Sequence, residues 1–425
     1  MKRGVERRQI LKAMGAASVF PVLASCARTT GPRAVVVGGG FGGATCARYI
    51  KSIDPGIDVI LIERNESYTT CPFSNNVLGG LESLDSLVHG YDGLKNHWGI
   101  RIANDTVTQV DPQARTVMLA SGNTIDYDRL VLSPGIDMKW GAIDGYDEAA
   151  AEIMPHAWKA GPQTVLLQKQ LAGVEDGGLV VIAAPDNPYR CPPAPYERAC
   201  MIAHYLQTSG KPRAKIMILD AKDKFTKQEL FQQGWARFYP GMIEWVSGSQ
   251  GGQVTQVDTK AMTVTCKAGT FKAQVANIVP PQSAGAVSQQ AGAATQDGWC
   301  EIDPWTMESK AVAGVHVVGD ACVPGAMPKS GFAANSQAKI CAAAVVALLR
   351  GRKPVEPLFM NTCFSTIAPD YAISVAGTYR ASAGAIVAVM GSGGLSPLDA
   401  SDSFRKAEYD NAHGWYASTM AEMFS

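Results

Sequence analysis

The stretch RAVVVGGGFGGATCARYI, Arg33 to Ile50, constrains the fold more than any other part of this chain. A short apolar strand runs into a glycine loop and then into a helical pattern, with Gly38, Gly40 and Gly43 at the three glycine positions of G-x-G-x-x-G. The first glycine permits a tight turn, the second lets the backbone approach a pyrophosphate, and the third lets helix pack on strand. The helix N-terminus then offers unpaired N–H groups and a positive dipole end to phosphate. A second strand, DVILIE (Asp58 to Glu63), ends twenty residues after Gly43 in Glu63, placed to accept hydrogen bonds from the ribose of an adenosine. A glycine triplet alone would say little. Strand, triplet, helix, strand and acid in register predict an α/β dinucleotide-binding domain.

The chain has 425 residues, enough for two or three domains. It is 46% hydrophobic and 18% charged, which describes packed cores and excludes a disordered chain. Net charge is zero and no basic tract is interleaved with aromatics, so nucleic acid is not an expected partner. No run of eighteen apolar residues predicts a spanning helix. Residues 1–30 look like an address: Arg3, Arg7 and Arg8 precede an apolar run from Ala13 to Leu23. RRQILK (Arg7 to Lys12) resembles a twin-arginine export signal, and LASC (Leu23 to Cys26) resembles a lipoprotein site at which Cys26 would carry lipid. A disordered basic terminus, or cleavage nearby without lipidation, are the alternatives. The expected location is the periplasm, with a membrane anchor only if Cys26 is lipidated.

Further along, IDYDRLVLSPG (Ile125 to Gly135) is a strand ending in a turn. It resembles the point where the chain leaves the flavin domain in flavoproteins with two dinucleotide-binding domains. GVHVVGDAC (Gly314 to Cys322) resembles their late strand, whose Gly319-Asp320 pair sets a carboxylate on the ribityl chain. A long helix follows within Pro328 to Leu349, entered at Ser330-Gly331, with its N-terminus toward the flavin ring. FAD is therefore the expected cofactor, held by residues 31–160 and 281–353, with Gly135, Gly319, Asp320 and Gly331 beside it. Residues 161–280 form an inserted unit with strands LVVIAA and KIMILD, but no glycine loop follows LVVIAA. Asp220 sits where a nicotinamide ribose acid would sit. Without the cradle NAD is not expected, and Asp220 reads as a turn or cap residue. Residues 354–425 form a small C-terminal domain in which Trp415 and Tyr416 read as core.

Ten cysteines in an exported chain permit disulfides. No C-x-x-C pair, no cysteine–histidine metal set and no C-x-x-C-H haem motif occurs, so neither a metal nor a haem is expected on this chain. Cys71, in ESYTTCPFSNN, Cys191, in YRCPPAPYER, and Cys363, in LFMNTCFSTIAPDY, read as accessible thiols on polar loops. Cys46, Cys200, Cys266, Cys300, Cys322 and Cys341 read as buried small hydrophobes or a structural bridge.

YTTCPFSNNVLGG, PHAWKAG, YRCPPAPYER, GDACVPGAMPKSGFAANSQAK and NTCFSTIAPDYAISVAG together resemble the flavoprotein subunit family of flavocytochrome c sulfide dehydrogenase, over nearly the whole chain after the signal. The resemblance implies an α/β, two-dinucleotide-binding-domain, glutathione reductase-like flavoprotein with a small C-terminal α+β domain. It implies FAD bound covalently through an 8α-S-cysteinyl link at Cys71, a redox-active disulfide between Cys191 and Cys363, and Glu197 as a candidate base. It also implies sulfide as substrate and a c-type cytochrome subunit, in a heterodimer, as electron acceptor. Hydrosulfide attack on a disulfide suits this chemistry, because a soft sulfur nucleophile opens an S–S bond in line. Glu197, in a Pro-Tyr-Glu-Arg helix start, could equally be a capping acid. Rival readings are a sulfide:quinone oxidoreductase, a nucleotide-dependent disulfide reductase, and a non-catalytic flavoprotein whose cysteines only staple domains together. Quinone use would call for an amphipathic docking helix, for which HGWYASTMAEMFS near the C-terminus is a weak candidate.

Overall fold

The computed structural model describes residues 31–425; the expected export signal and Cys26 lie outside the described residues. The first dinucleotide unit is a five-stranded sheet in the order Val315–Val317, Arg129–Leu132, Arg33–Val37, Asp58–Ile62, Arg101–Ala103, every neighbouring pair parallel. Its central strands are buried along their whole length, as covered parallel sheets require, which is why VVV and VILI are unbroken apolar runs. Helix Phe41–Ile53 follows the glycine loop and packs against helix Gly331–Leu349. The latter is the one helix among the described residues long and apolar enough to cross a membrane. Here it is a core helix, with Ala338, Cys341, Ala342 and Val345 fully buried.

A short antiparallel pair, Ile136–Met138 with Gln282–Ala284, joins this unit to the inserted one. The inserted sheet is also parallel, in the order Ile243–Val246, Lys215–Asp220, Leu179–Ala184, Val275–Ile278. Helix Ala194–Thr208 packs on it with Tyr196, Ala199, Cys200 and Ile202 wholly buried.

The C-terminal unit is built on a long antiparallel pair, Leu358–Ala368 with Tyr371–Ser382, followed by helix Asp402–Phe424, which is capped by Ser401. Cys363 was expected on a polar loop. Instead it lies within the first of these strands, opposite Val375, because MNTCFSTI is rich in β-branched and aromatic residues that suit a pleated surface. The C-terminal helix lies back over the first unit. Phe424 packs on His89 and Tyr91, and Tyr416 Oη contacts Thr70 Oγ1 at 2.7 Å. Trp415 stacks between Phe41 and Phe332, with ring centroids 6.2 and 5.5 Å away. Trp415 and Tyr416 are therefore half-buried residues of an inter-unit seam, not closed core, and Trp415 faces the cleft described below.

Two histidines are held neutral by this packing. His156 Nδ1 accepts the Trp158 N–H at 2.8 Å, a role its protonated ring could not fill, and burial pulls its pKa down to about 3. His316 is fully buried and pulled down to about 4 by the same cause. Depressed folded values mean that the unfolded chain binds these protons first. Stability is then complete above the free histidine range and falls as pH drops from about 6.5 toward 4, by about 1.4 kcal/mol per pH unit for each histidine. Denaturant melts of the native chain against His316→Gln across this window should show a shallower slope in the variant.

Candidate active site

The dinucleotide cradle is built from close backbone approaches. Gly38 has φ +98°, and a Cβ there would lie 2.3 Å from the Ser133 carbonyl oxygen. A Cβ on Gly43 would lie 1.7 Å from the Gly38 oxygen, so only glycine lets the helix sit this near the strand. Gly40 caps helix Phe41–Ile53 with no side chain on its leading N–H groups, leaving them for phosphate. Glu63 stands just past the second strand, where Oε2 accepts the Gly39 N–H at 2.8 Å and Oε1 the Asn65 N–H at 3.0 Å.

On the other side, Asp320 lies in a single turn after strand Val315–Val317, and Gly319 at φ +79° donates its N–H to Gln337. Asp320 Oδ1 is buried without a protein partner, a carboxylate oxygen positioned for a hydroxyl from elsewhere. Gly331 is the first residue of its helix, which Ser330 caps, and a Cβ there would lie 3.2 Å from the Phe41 ring. Gly135, at φ +66°, turns the chain out of this unit. The glycine cradle, the bare helix terminus and the orphaned Asp320 oxygen fit FAD.

Between the three units lies an open cleft of about 890 Å³ whose lining includes Cys71, Cys191, Cys363, Glu197, Phe332 and Trp415. Cys71 is half-buried; its carbonyl accepts from the Ser74 N–H and hydroxyl at 3.0 and 2.6 Å, and its thiol points to the Trp158 oxygen at 3.7 Å. Cys191 is held at φ +55°, with its N–H on the Lys329 oxygen at 2.8 Å and its carbonyl accepting the Ala194 N–H at 3.0 Å. The prolines that follow lead straight into the buried helix. Strand Leu358–Ala368 delivers Cys363 from the opposite side.

The Cys191 and Cys363 side chains are free thiols hydrogen-bonded to each other. The thiol–thiol hydrogen bond and burial raise the pKa of Cys191, while the same bond, aided by the Lys227 ammonium against burial, brings Cys363 down to about 7. A shared proton between adjacent thiols is the reduced form of a dithiol pair.

Glu197 is not a cap. It sits in the first turn of its helix, but Oε1 accepts the Thr366 N–H at 2.8 Å and Oε2 accepts from Asn75 Nδ2 at 3.0 Å. The carboxylate thus ties the cysteine strand to the Cys71 segment, and burial raises its pKa. Asp220 makes the turn contact expected of it, taking the Lys222 N–H two residues on, and also does more. It is fully buried and accepts from Tyr196 Oη, Trp245 Nε1, Lys222 Nζ and the Lys222 N–H, so both oxygens are occupied.

Three cations at the site carry no motif. Arg190 places its guanidinium near Cys71, Tyr68 and Asp320 and donates to the Trp158 carbonyl. Arg198 is buried and donates to Asn75, Asn277 and the carbonyls of His156 and Ala157. Lys227 lies behind Cys363. The first two adjoin Cys191 and Glu197 in YRCPPAPYER; nothing in KDKFTK marks Lys227.

The profile described as "Sulfide dehydrogenase [flavocytochrome c] flavoprotein chain, central" matches residues 164–280. "Flavocytochrome c sulphide dehydrogenase, flavin-binding" matches 355–424, and "Pyridine nucleotide-disulphide oxidoreductase" matches 32–166. A flavocytochrome c sulfide dehydrogenase flavoprotein chain from Chlorobaculum thiosulfatiphilum is 58% identical over 45 residues, 11% of this chain and 94% of that sequence. The mitochondrial sulfide:quinone oxidoreductase of Mus musculus is 23% identical over 354 residues, 78% of this chain and 75% of its own. Among solved structures, the sulfide:quinone oxidoreductase of Aquifex aeolicus superimposes with a TM-score of 0.71 at 18% identity, covering 92% of each chain. That likeness establishes the two-dinucleotide-domain fold, and the flavin-binding profiles establish a flavoprotein. The chain belongs to the family of flavocytochrome c sulfide dehydrogenase flavoprotein chains.

Proposed function

We propose that this protein oxidises sulfide through a disulfide between Cys191 and Cys363 and passes the electrons, by way of FAD linked to Cys71, to a c-type cytochrome subunit. The observation that carries this reading is the meeting of the two thiols in a cleft that also holds Cys71 and Glu197. In the oxidised pair, hydrosulfide attacks one sulfur. A new S–S bond forms as a persulfide, the Cys191–Cys363 bond breaks, and the other sulfur leaves as a thiolate. A second hydrosulfide removes the outer sulfur as hydrodisulfide and leaves the dithiol. Bound FAD supplies the two-electron acceptor that restores the disulfide and can release electrons one at a time.

The chain's own residues orient this sequence. The Cys191 backbone is pinned at both its N–H and its carbonyl, so the sulfur stays in place after the S–S bond opens. Glu197, raised by burial, is suited to take the proton of incoming hydrogen sulfide and to return it to the leaving thiolate. The cation of Arg190 beside Cys71 and Asp320 favours electron density at that end of the cleft.

A separate protein acceptor is supported by two features of the described residues. Asp220, where NAD would be read, is closed by Lys222, Tyr196 and Trp245. The C-terminal segment considered for membrane docking packs Met420, Met423 and Phe424 into the core. Export to the periplasm through the twin-arginine pathway completes the reading, since such a route carries folded, cofactor-loaded chains.

Anaerobic titration of the purified flavoprotein with sulfide should bleach the flavin at near-stoichiometric amounts. Persistent oxidised flavin would remove the proposal. Oxidised c-type cytochrome should restore the absorbance, whereas restoration by a short-chain quinone alone would assign a quinone acceptor instead. Cys363→Ser should slow bleaching at least on the order of 10³-fold, as loss of one member of a reacting unit does. Retained bleaching with a lower melting temperature would make the pair a staple. For the covalent link, acid denaturation should leave flavin on the native polypeptide and release it from Cys71→Ala.

A further inference from the structure

Lys227 is a charged side chain that the chemistry above does not use. It is 3% exposed and adopts φ +65°, a left-handed conformation uncommon for a non-glycine residue, at the start of helix Gln228–Phe238. Its ammonium donates to the Cys363 carbonyl at 2.8 Å and to Ser365 Oγ, itself buried, at 2.8 Å. Among the described residues no carboxylate pairs with it within 4.0 Å; its two hydrogen-bond acceptors are neutral. Taking an ammonium out of water for two neutral acceptors is costly, and holding it there in an unusual backbone conformation adds to the cost. A helix cap alone could be made by a short polar residue.

We propose that Lys227 is a positioning residue for the sulfur pair: it fixes strand Leu358–Ala368 at Cys363 and supplies the positive charge that the pair needs when its disulfide opens. The inference rests on the reading of Cys191 and Cys363 as a redox pair. Opening the disulfide with hydrosulfide breaks one S–S bond, makes another, and carries one negative charge into the cleft wall as a thiolate. Bulk water cannot solvate that charge fully at this depth, so a fixed cation nearby lowers the energy of the opened state.

The charges that face the pair are few. Next to Cys191 stand Arg190, whose field acts on Cys71 and Cys191, and the neutral Tyr189. From helix Ala194–Thr208 come Glu197, whose ionised form opposes a thiolate, and Arg198, whose field acts on Cys191, Cys71 and Glu197. From strand Tyr371–Ser382 comes the neutral Tyr379, and from the C-terminal helix Glu408, which acts on Lys227. Lys227 is the cation whose field reaches both Cys363 and Cys191. It therefore balances Glu197 and stabilises the thiolate on Cys363, the side of the pair already held low.

The test uses the full-length holoprotein equilibrated in thiol–disulfide buffers, trapped by alkylation and resolved by peptide mapping of each cysteine. Lys227→Gln keeps hydrogen-bond donors and removes the charge. It should make the Cys191/Cys363 disulfide about tenfold harder to reduce, ~30 mV more negative for a two-electron couple. It should also slow alkylation of Cys363 at pH 7 by about tenfold, and Lys227→Arg should restore both. A purely structural lysine would lower the melting temperature and leave both readouts unchanged, which overturns the proposal.

If the glutamine variant does not accumulate with bound flavin, the native chain decides. Its midpoint potential should change slope near pH 7 from ~60 to ~30 mV per pH unit, as one thiolate replaces a thiol in the reduced pair. A slope that stays near ~60 mV through pH 9 overturns it. Neither measurement uses sulfide, so a failure of sulfide to bleach the flavin would remove the proposed function without affecting this result.

Discussion

The cleft depends on how strand Leu358–Ala368 is held against helix Ala194–Thr208. These two segments come from different units of the chain, and nothing covalent joins them in the free-thiol form. The half-buried Glu197 carboxylate makes the join, taking the Thr366 N–H on one oxygen and the Asn75 amide on the other. Lys227 holds the same strand two residues from Cys363 through Ser365, and Tyr239 Oη holds it further along at the Ile367 carbonyl. Buried polar contacts of this sort are worth little as net stability but are costly to misplace, so they fix register more than they add strength. A slip of one residue in that strand would turn Cys363 away from Cys191.

The inserted unit shows what becomes of a nucleotide-binding frame that has taken another task. Its parallel sheet is intact, and the acid at the end of its second strand is present as Asp220. Each feature that would face NAD is filled. Lys222 neutralises Asp220 and also donates to the Pro185 carbonyl, directly after the strand where a glycine loop would start. Tyr189 lies under the Lys222 ammonium, with the nitrogen 4.8 Å from the ring centroid. The chain then continues to Cys191, so the segment that would have cradled a pyrophosphate carries a thiol into the cleft.

Much of this was legible in the residues. The glycine loop, the acid at Glu63, the late Gly319-Asp320 pair and the helix entered at Ser330 each have a local pattern tied to a local function, and each stands where that pattern places it. What escaped notice depends on partners distant in sequence. Cys363 reads as loop because its strand is polar on one face, and only pairing with Tyr371–Ser382 makes it a strand. Glu197 at a helix start reads as a cap until Thr366, 169 residues away, is brought to it. Lys227 gives no signal at all, since its role comes from a strand beginning more than a hundred residues later. Trp415 reads as core because aromatic content does not reveal that it bridges the buried Phe41 and Phe332, which lines a cleft between units.

The central claim is that Cys191 and Cys363 are one redox pair. It is tested most directly by mass spectrometric mapping of the oxidised holoprotein, digested without reductant before and after one equivalent of sulfide. The account predicts a single cross-linked peptide joining Cys191 to Cys363, converted by sulfide to two peptides, one of them heavier by one sulfur atom. Recovery of Cys191 and Cys363 unlinked in the oxidised protein, or linked to other cysteines, would contradict it.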